Sequence, residues 1–96
     1  MDKLTKDYRE SLLQDLQDPG EAAAYLTAAL EHGDSAIFLL ALRNVADAQG
    51  MSSLAAKAQL NRESLYRMLS ERGNPQLDSL TALLDALELR LAVTVK

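Results

Sequence analysis

The sequence predicts an all-α fold of five helices built round a helix-turn-helix unit, with an N-terminal helical extension and a short C-terminal β-strand. Three observations carry that prediction. Hydrophobic residues make up 48% of the 96-residue chain and aromatic residues only 4%, so Leu and Ala must supply the packing, which favours helices over a sheet sandwich. Apolar residues recur at three- and four-residue spacings through most of the chain, the period of a helix face. Between Met51 and Ser70 two such segments are separated by a break only long enough for a tight turn. The length suits a single domain, residues 1–96, able to bury a modest core without a metal or disulfide. Within it we read an extension over 1–17, a helical pair over 18–50, the helix-turn-helix over 51–70, and a packing helix with a terminal strand over 71–96.

Tyr8, Leu12, Leu13 and Leu16 share one face between Asp7 and Gln17, which makes this stretch a short amphipathic helix; Asp2, Asp7, Glu10 and Asp15 fall on its wet face. Asp18-Pro19-Gly20-Glu21 signals a helix start: Asp18 as N-cap, Pro19 at the first helical position and Glu21 placed to close a capping box. That helix runs to about Glu31, with Ala22, Tyr25, Leu26, Ala29 and Leu30 as its apolar face. Gly33 supplies the left-handed residue that ends it. Asp34 caps the next helix, Ser35 to about Gln49, where Ile37, Phe38, Leu40, Ala41, Leu42, Val45 and Ala46 cover more than half the circumference. This is the expected core helix, ending at Gly50.

In the central pair, Leu54, Ala55 and Ala58 line one face of the first helix, which Ser52 or Ser53 opens, and Leu65, Met68 and Leu69 line one face of the second. The turn falls at Gln59 and Leu60, and Asn61 caps the second helix, leaving Arg62, Glu63, Ser64, Tyr66 and Arg67 on its first turn and a half. Polar residues there coincide with the part of a recognition helix that meets DNA. Arg62 suits a forked bond to guanine, Glu63 can accept from cytosine, and Tyr66 or Arg67 can reach bases or phosphates. Ser52, Ser53, Arg72 and Asn74 are placed for phosphate contacts, which position a protein without reading sequence. The plainer alternative stays open: two helices of a bundle joined by a short turn, with solvated arginines.

Arg72-Gly73-Asn74-Pro75 breaks the helical pattern, because Gly relaxes the backbone and Pro75 pushes Asn74 out of the helical region. A further helix starts with Asp78 as N-cap and buries Leu80, Leu83, Leu84 and Leu87. The period then changes. Leu87, Leu89, Leu91, Val93 and Val95 alternate with Glu88, Arg90, Ala92 and Thr94, the rhythm of a half-buried strand. A lone strand leaves its backbone unpaired, so its expected partner is the same strand of a second copy, giving a symmetric homodimer through Leu89, Leu91, Val93 and Val95.

A net charge of −4 argues at first against nucleic acid, since phosphate neutralisation dominates affinity for DNA. The distribution reverses the argument. Residues 1–50 carry four basic against nine acidic side chains, whereas residues 51–76 carry Lys57, Arg62, Arg67 and Arg72 against Glu63 and Glu71, the one net-positive segment. With no Cys, thiol chemistry and disulfides are excluded. The longest apolar run, Ile37 to Leu42, is far below the ~20 residues that span a bilayer, and the charged N-terminus does not resemble a signal peptide, so a cytoplasmic protein with no membrane partner is expected. His32, the sole histidine, sits near Glu31 and Asp34 at a helix end, where it complements the C-terminal dipole. No catalytic residue, metal site or cofactor is expected.

Two resemblances follow from these residues. Leu54, Ala55, Ala58, Leu60, Leu65, Met68 and the Gly73-Asn74-Pro75 turn make the span from Ser35 to Leu89 resemble the helix-turn-helix domain of the Cro and phage-repressor class. More closely, the span from about Asp18 to Val95 resembles the addiction-module antidote proteins. The features are the Asp18-to-Glu21 helix start, Tyr25-Leu26-Thr-Ala-Ala-Leu30, Gly50-Met51, Arg62-Glu63-Ser64-Leu65-Tyr66, the Gly-Asn-Pro turn and Leu89-Arg-Leu-Ala-Val93. That resemblance implies an antitoxin that neutralises a small basic toxin of the RelE/ParE-like type and represses its own operon through double-stranded DNA. A dimer would favour a palindromic operator with half-sites about 34 Å apart. A phage-repressor-like regulator without a toxin, and an interaction module that no longer binds DNA, remain alternatives. The chain departs from the family's pattern twice: Gln59 stands where the turn usually has Gly, and Glu88 where the helix exit often has Gly. Gln59 would then adopt a left-handed conformation at a cost of order 1 kcal/mol. The acidic first half would draw in a basic toxin.

Overall fold

The structure is a computed structural model that describes residues 2–96, with side chains from residue 6 onward. Among the described residues it holds six helices and no strand: α1 (Asp2–Asp15), α2 (Pro19–Glu31), α3 (Ser35–Gln49), α4 (Met51–Ala58), α5 (Arg62–Met68) and α6 (Leu77–Ala86). The Asp2 side chain, placed by its sequence on a wet face, lies outside the described residues, whereas Asp7, Glu10 and Asp15 are exposed.

Three helix starts follow from side-chain chemistry. Asp18 accepts from the Glu21 amide at 3.0 Å, Asp34 from the Ala36 amide at 2.9 Å, and Asn61 from the Glu63 and Ser64 amides at 2.7 and 3.3 Å. Each satisfies an amide that the first turn of a helix leaves orphaned. The reciprocal half of the Asp18 capping box does not form, because the Asp18 amide already donates to the Asp15 carbonyl at 3.1 Å. Two expected starts move. α4 begins at Met51 directly after Gly50 (φ 91°), so Ser52 and Ser53 lie inside its first turn and do not cap it. α6 begins at Leu77, with Gln76 as its N-cap, and Asp78 sits in the first turn, where a carboxylate still complements the helix dipole.

α3 is the central element. It packs against α1, α2 and α4, and α4 packs in turn against α5 and α6. Leu42, Val45, Leu54, Leu65, Leu69 and Leu83 are fully enclosed at their junction. A side network reinforces the outer layer: Arg9 donates to Asn44 at 3.2 Å and to Asp47 at 3.0 Å, and the Asn44 amide nitrogen donates to the Tyr25 hydroxyl at 2.9 Å, tying α1 to α3 and α3 to α2. The apolar band read along α2 and α3 is wider than its cover. Leu30 and Leu40 are 57% and 61% exposed and Ile37 is partly so, because α3's neighbours leave one side of its N-terminal half open.

Both departures from glycine adopt the left-handed conformation. Gln59 (φ 57°) follows α4 while the Leu60 amide reaches back to the Ala55 carbonyl at 2.9 Å; Glu88 (φ 64°) follows α6 while the Leu89 amide reaches the Leu84 carbonyl at 2.8 Å. These are Schellman closures, which satisfy terminal carbonyls by turning one residue left-handed. Gly33 (φ 77°) ends the α2 region as its sequence predicts.

The C-terminal strand is corrected. Residues 89–96 adopt no strand, and although Leu89 packs on the core, Leu91 is half exposed and Val93 and Val95 are fully exposed. The two-residue alternation is real in the sequence, but a strand is defined by its ladder, and among the described residues no extended segment lies beside this one.

Candidate nucleic-acid interface

α4 and α5 are joined by Gln59, Leu60 and Asn61, an arrangement compatible with a helix-turn-helix. Leu54, Ala55 and Ala58 of α4 and Leu65 and Met68 of α5 are buried and hold the two helices together. That burial fixes the opposite side of α5 outward. Ser52, Ser53, Asn61, Arg62, Glu63, Ser64, Arg67, Arg72 and Asn74 are all exposed, and Tyr66 is half-buried.

These residues divide into two groups. Ser64 and Arg67 from α5 and Arg72 and Asn74 from the loop that follows line one groove of about 400 Å³, floored by Leu60, Met68 and Pro75. The loop is held close to α5. A Cβ on Gly73 would collide with the Met68 carbonyl and come within 2.9 Å of the Ser70 carbonyl oxygen, so this glycine serves close backbone approach and not a positive φ. Ser70 donates from its hydroxyl to the Arg67 carbonyl at 2.8 Å, closing the end of α5 beneath the groove.

The second group is built on Tyr66. The Arg62 guanidinium carbon lies 5.6 Å from the centre of the Tyr66 ring, and that of Arg43, on α3, lies at the same distance. Each contact falls within the range of cation–π attraction, about 0.5–1 kcal/mol at an exposed site. Two guanidiniums gathered at one ring also concentrate positive charge that a phosphate can neutralise. Tyr66 is thereby a platform for its arginine neighbours as well as a polar group in its own right.

Arg43 did not emerge from the sequence. It is far along the chain from α5, and only the packing of α3 on α4 brings it to Tyr66; its one sequence signal is that it is the sole Lys or Arg between Arg9 and Lys57. Ser70, Gln76 and Ser79 of the groove were likewise missed. Ser52 and Ser53 stand apart from the groove lining, on the first turn of α4. Asn61 commits its side-chain oxygen to the cap, which leaves its Nδ2 as the donor for a ligand. Glu63 is exposed, and among the described residues the one ion pair is Arg9–Asp47, so no cation among them is paired with this carboxylate.

Among the described residues no three His, Cys, Asp or Glu side chains gather to hold a metal, and no helix is long and apolar enough to cross a membrane.

Comparison with known proteins places the sequence in a family. A family model described as "probable addiction module antidote protein" matches residues 8–95. An uncharacterized protein of Haemophilus influenzae is 32% identical over 93 residues, covering 97% of this chain and 94% of its own. No solved structure matches.

Proposed function

The chain belongs to the probable addiction module antidote protein family, and we propose that it acts as a DNA-binding antitoxin that neutralises a small basic toxin of the RelE/ParE-like type and represses its own operon. Family membership supports the toxin partner. The observation that supports DNA is the gathering of Arg43 and Arg62 at Tyr66 beside a groove that carries Arg67 and Arg72, on a chain whose net charge is otherwise negative.

α5 enters the major groove. Arg62 reads guanine, with Glu63 and Tyr66 at neighbouring base edges and Ser64 and Asn61 beside them. Arg67, Arg72, Asn74, Ser52 and Ser53 hold phosphates, and Arg43 adds a further cation to that set. A single copy brings few positive charges to a polyanion, so two copies act together on a palindrome. Leu89, Leu91, Val93 and Val95 join them: Leu89 packs on the core at the root of the C-terminal tail, and Leu91, Val93 and Val95 beyond it present exposed apolar side chains.

The test is a gel-shift series on the gene's own promoter at several salt concentrations. Arg62→Ala costs about 1–3 kcal/mol on the operator and relaxes preference at one base position. Arg72→Ala weakens binding evenly across sequences and lowers the salt slope by about one. Affinities within twofold of wild type for both variants would refute DNA recognition by this face. Co-purification with the product of a short basic reading frame beside the gene tests the toxin. Sedimentation of a chain ending at Leu87 tests the dimer, which this truncation should reduce to monomer.

A further inference from the structure

The open side of α3 forms a second surface, whose lining shares no residue with the α5 groove. Tyr25 and Ala28 of α2, His32 at its C-cap, and Ile37, Leu40 and Ala41 of α3 line a shallow apolar groove of about 210 Å³. Leu40 is 61% exposed there, and Ile37 is 37% exposed. The volume falls below the ~300–1,000 Å³ of small-molecule pockets, so the groove suits side chains anchored from a protein partner.

Charge identifies that partner. From Glu10 to Leu42 the chain has six carboxylates, Glu10, Asp15, Asp18, Glu21, Glu31 and Asp34, and neither Lys nor Arg; all six are exposed. Glu21 lies one turn from Tyr25 on α2, and Glu31 adjoins His32, so the groove carries carboxylates at both ends of its α2 wall. Arg43, the first cation after this stretch, is drawn to Tyr66. A second copy would bring the same carboxylates against these and repel. A cationic segment with apolar anchors complements both the groove and its rim.

We infer that the α2–α3 groove is the docking surface for the toxin, which inserts apolar side chains between Tyr25 and Leu40 while its basic residues meet Glu21 and Glu31. The inference rests on the antitoxin reading. It also separates the two partners on the molecule: toxin on the acidic α2–α3 side, DNA on α5.

The experiment measures affinity between the full chain and the purified product of the basic reading frame beside the gene, by titration calorimetry, with operator binding and sedimentation run in parallel. Ile37→Ser with Leu40→Ser should weaken toxin binding at least tenfold with operator affinity unchanged. Glu21→Lys with Glu31→Lys should weaken toxin binding at least tenfold and flatten its salt dependence. Leu77→Ser removes an exposed apolar side chain on α6 and should leave toxin affinity unchanged. Toxin affinity within twofold of wild type for both groove variants overturns the docking site while the antitoxin reading stands. Loss of self-association without loss of toxin binding also overturns it, since the groove would then join two copies. Absence of such a reading frame, or of binding by the wild-type chain, overturns the antitoxin reading and the docking site together.

Discussion

Replacing Gln59 by glycine should stabilise the protein, although it deletes a whole side chain from the turn that joins α4 to α5. Gln59 is held at φ 57°, where a residue with a Cβ is disfavoured by about 1–2 kcal/mol. Its side chain is exposed and forms no hydrogen bond among the described residues, so its loss removes no contact. Glycine relieves the backbone cost but gives the unfolded chain more freedom, worth about 0.4–1 kcal/mol in the opposite direction. Taken at the middle of both ranges, the difference leaves a net gain of about 0.8 kcal/mol, and a domain of this size shifts its midpoint by roughly 4–8 °C per kcal/mol, so Tm should rise by about 3–6 °C. The assay is thermal unfolding followed by circular dichroism, with Gln59→Ala as the control, since alanine keeps the Cβ and the strain. Glu88→Gly should behave in the same way, because the Leu89 amide closes α6 by the same bond that Leu60 makes on α4. An unchanged or lower Tm for Gln59→Gly, or an equal rise for Gln59→Ala, would refute the reasoning.

Asn61→Ala should cost about 0.5–2 kcal/mol in chemical denaturation, since it strips two first-turn amides of α5 of their acceptor; Asn61→Asp should retain most of that stability. Leu65→Ala, at a fully buried position between α4 and α5, should cost about 2–5 kcal/mol and abolish operator binding by loosening the helix pair. Gly73→Ala should cost about 1–3 kcal/mol, as the loop shifts to clear the Met68 carbonyl, and should weaken operator binding in a gel shift because Arg72 and Asn74 ride on the same loop. Tm near wild type for Gly73→Ala would show that the loop has room that its geometry denies.

The features legible in the sequence are those written in local chemistry. Asp18, Asp34 and Asn61 announce helix starts because a short polar side chain can reach an amide two or three residues on and few other positions reward that. Asp78, Ser52 and Ser53 misled for a related reason: acidic and hydroxyl residues are as welcome inside a first turn as before it, so the signal is uncertain by one or two residues. Periodicity reads which residues share a face but not how much of that face a neighbour covers. Hence Leu42 and Val45 are core as expected, whereas Leu30 and Leu40 are not. The terminal alternation failed for want of a partner strand, a property of the assembly and not of the residues themselves. Arg43 was beyond reach because its place at Tyr66 is made by α3 packing on α4, and no local pattern encodes that.

The attachment of α1 has a consequence for how the molecule opens. Residues 6–11 are all exposed, and the helix is held by Leu12, by the buried Leu16 just past its end, and by Arg9 across to Asn44 and Asp47, the ion pair with Asp47 keeping 50% and 26% of its two side-chain surfaces in water. Such a pair is worth about 0–1 kcal/mol and weakens with salt. The N-terminal part of α1, before Leu12, should therefore open first, while the junction of α3, α4 and α6 stays shut. Amide exchange in residues 6–11 should proceed by this small opening, faster in high salt, whereas the amides of Leu42 and Leu65 wait for global unfolding. A protease that enters the chain through its first helix would find the remainder still folded, so this protein has a built-in order of disassembly, beginning at the helix tied to Asp47.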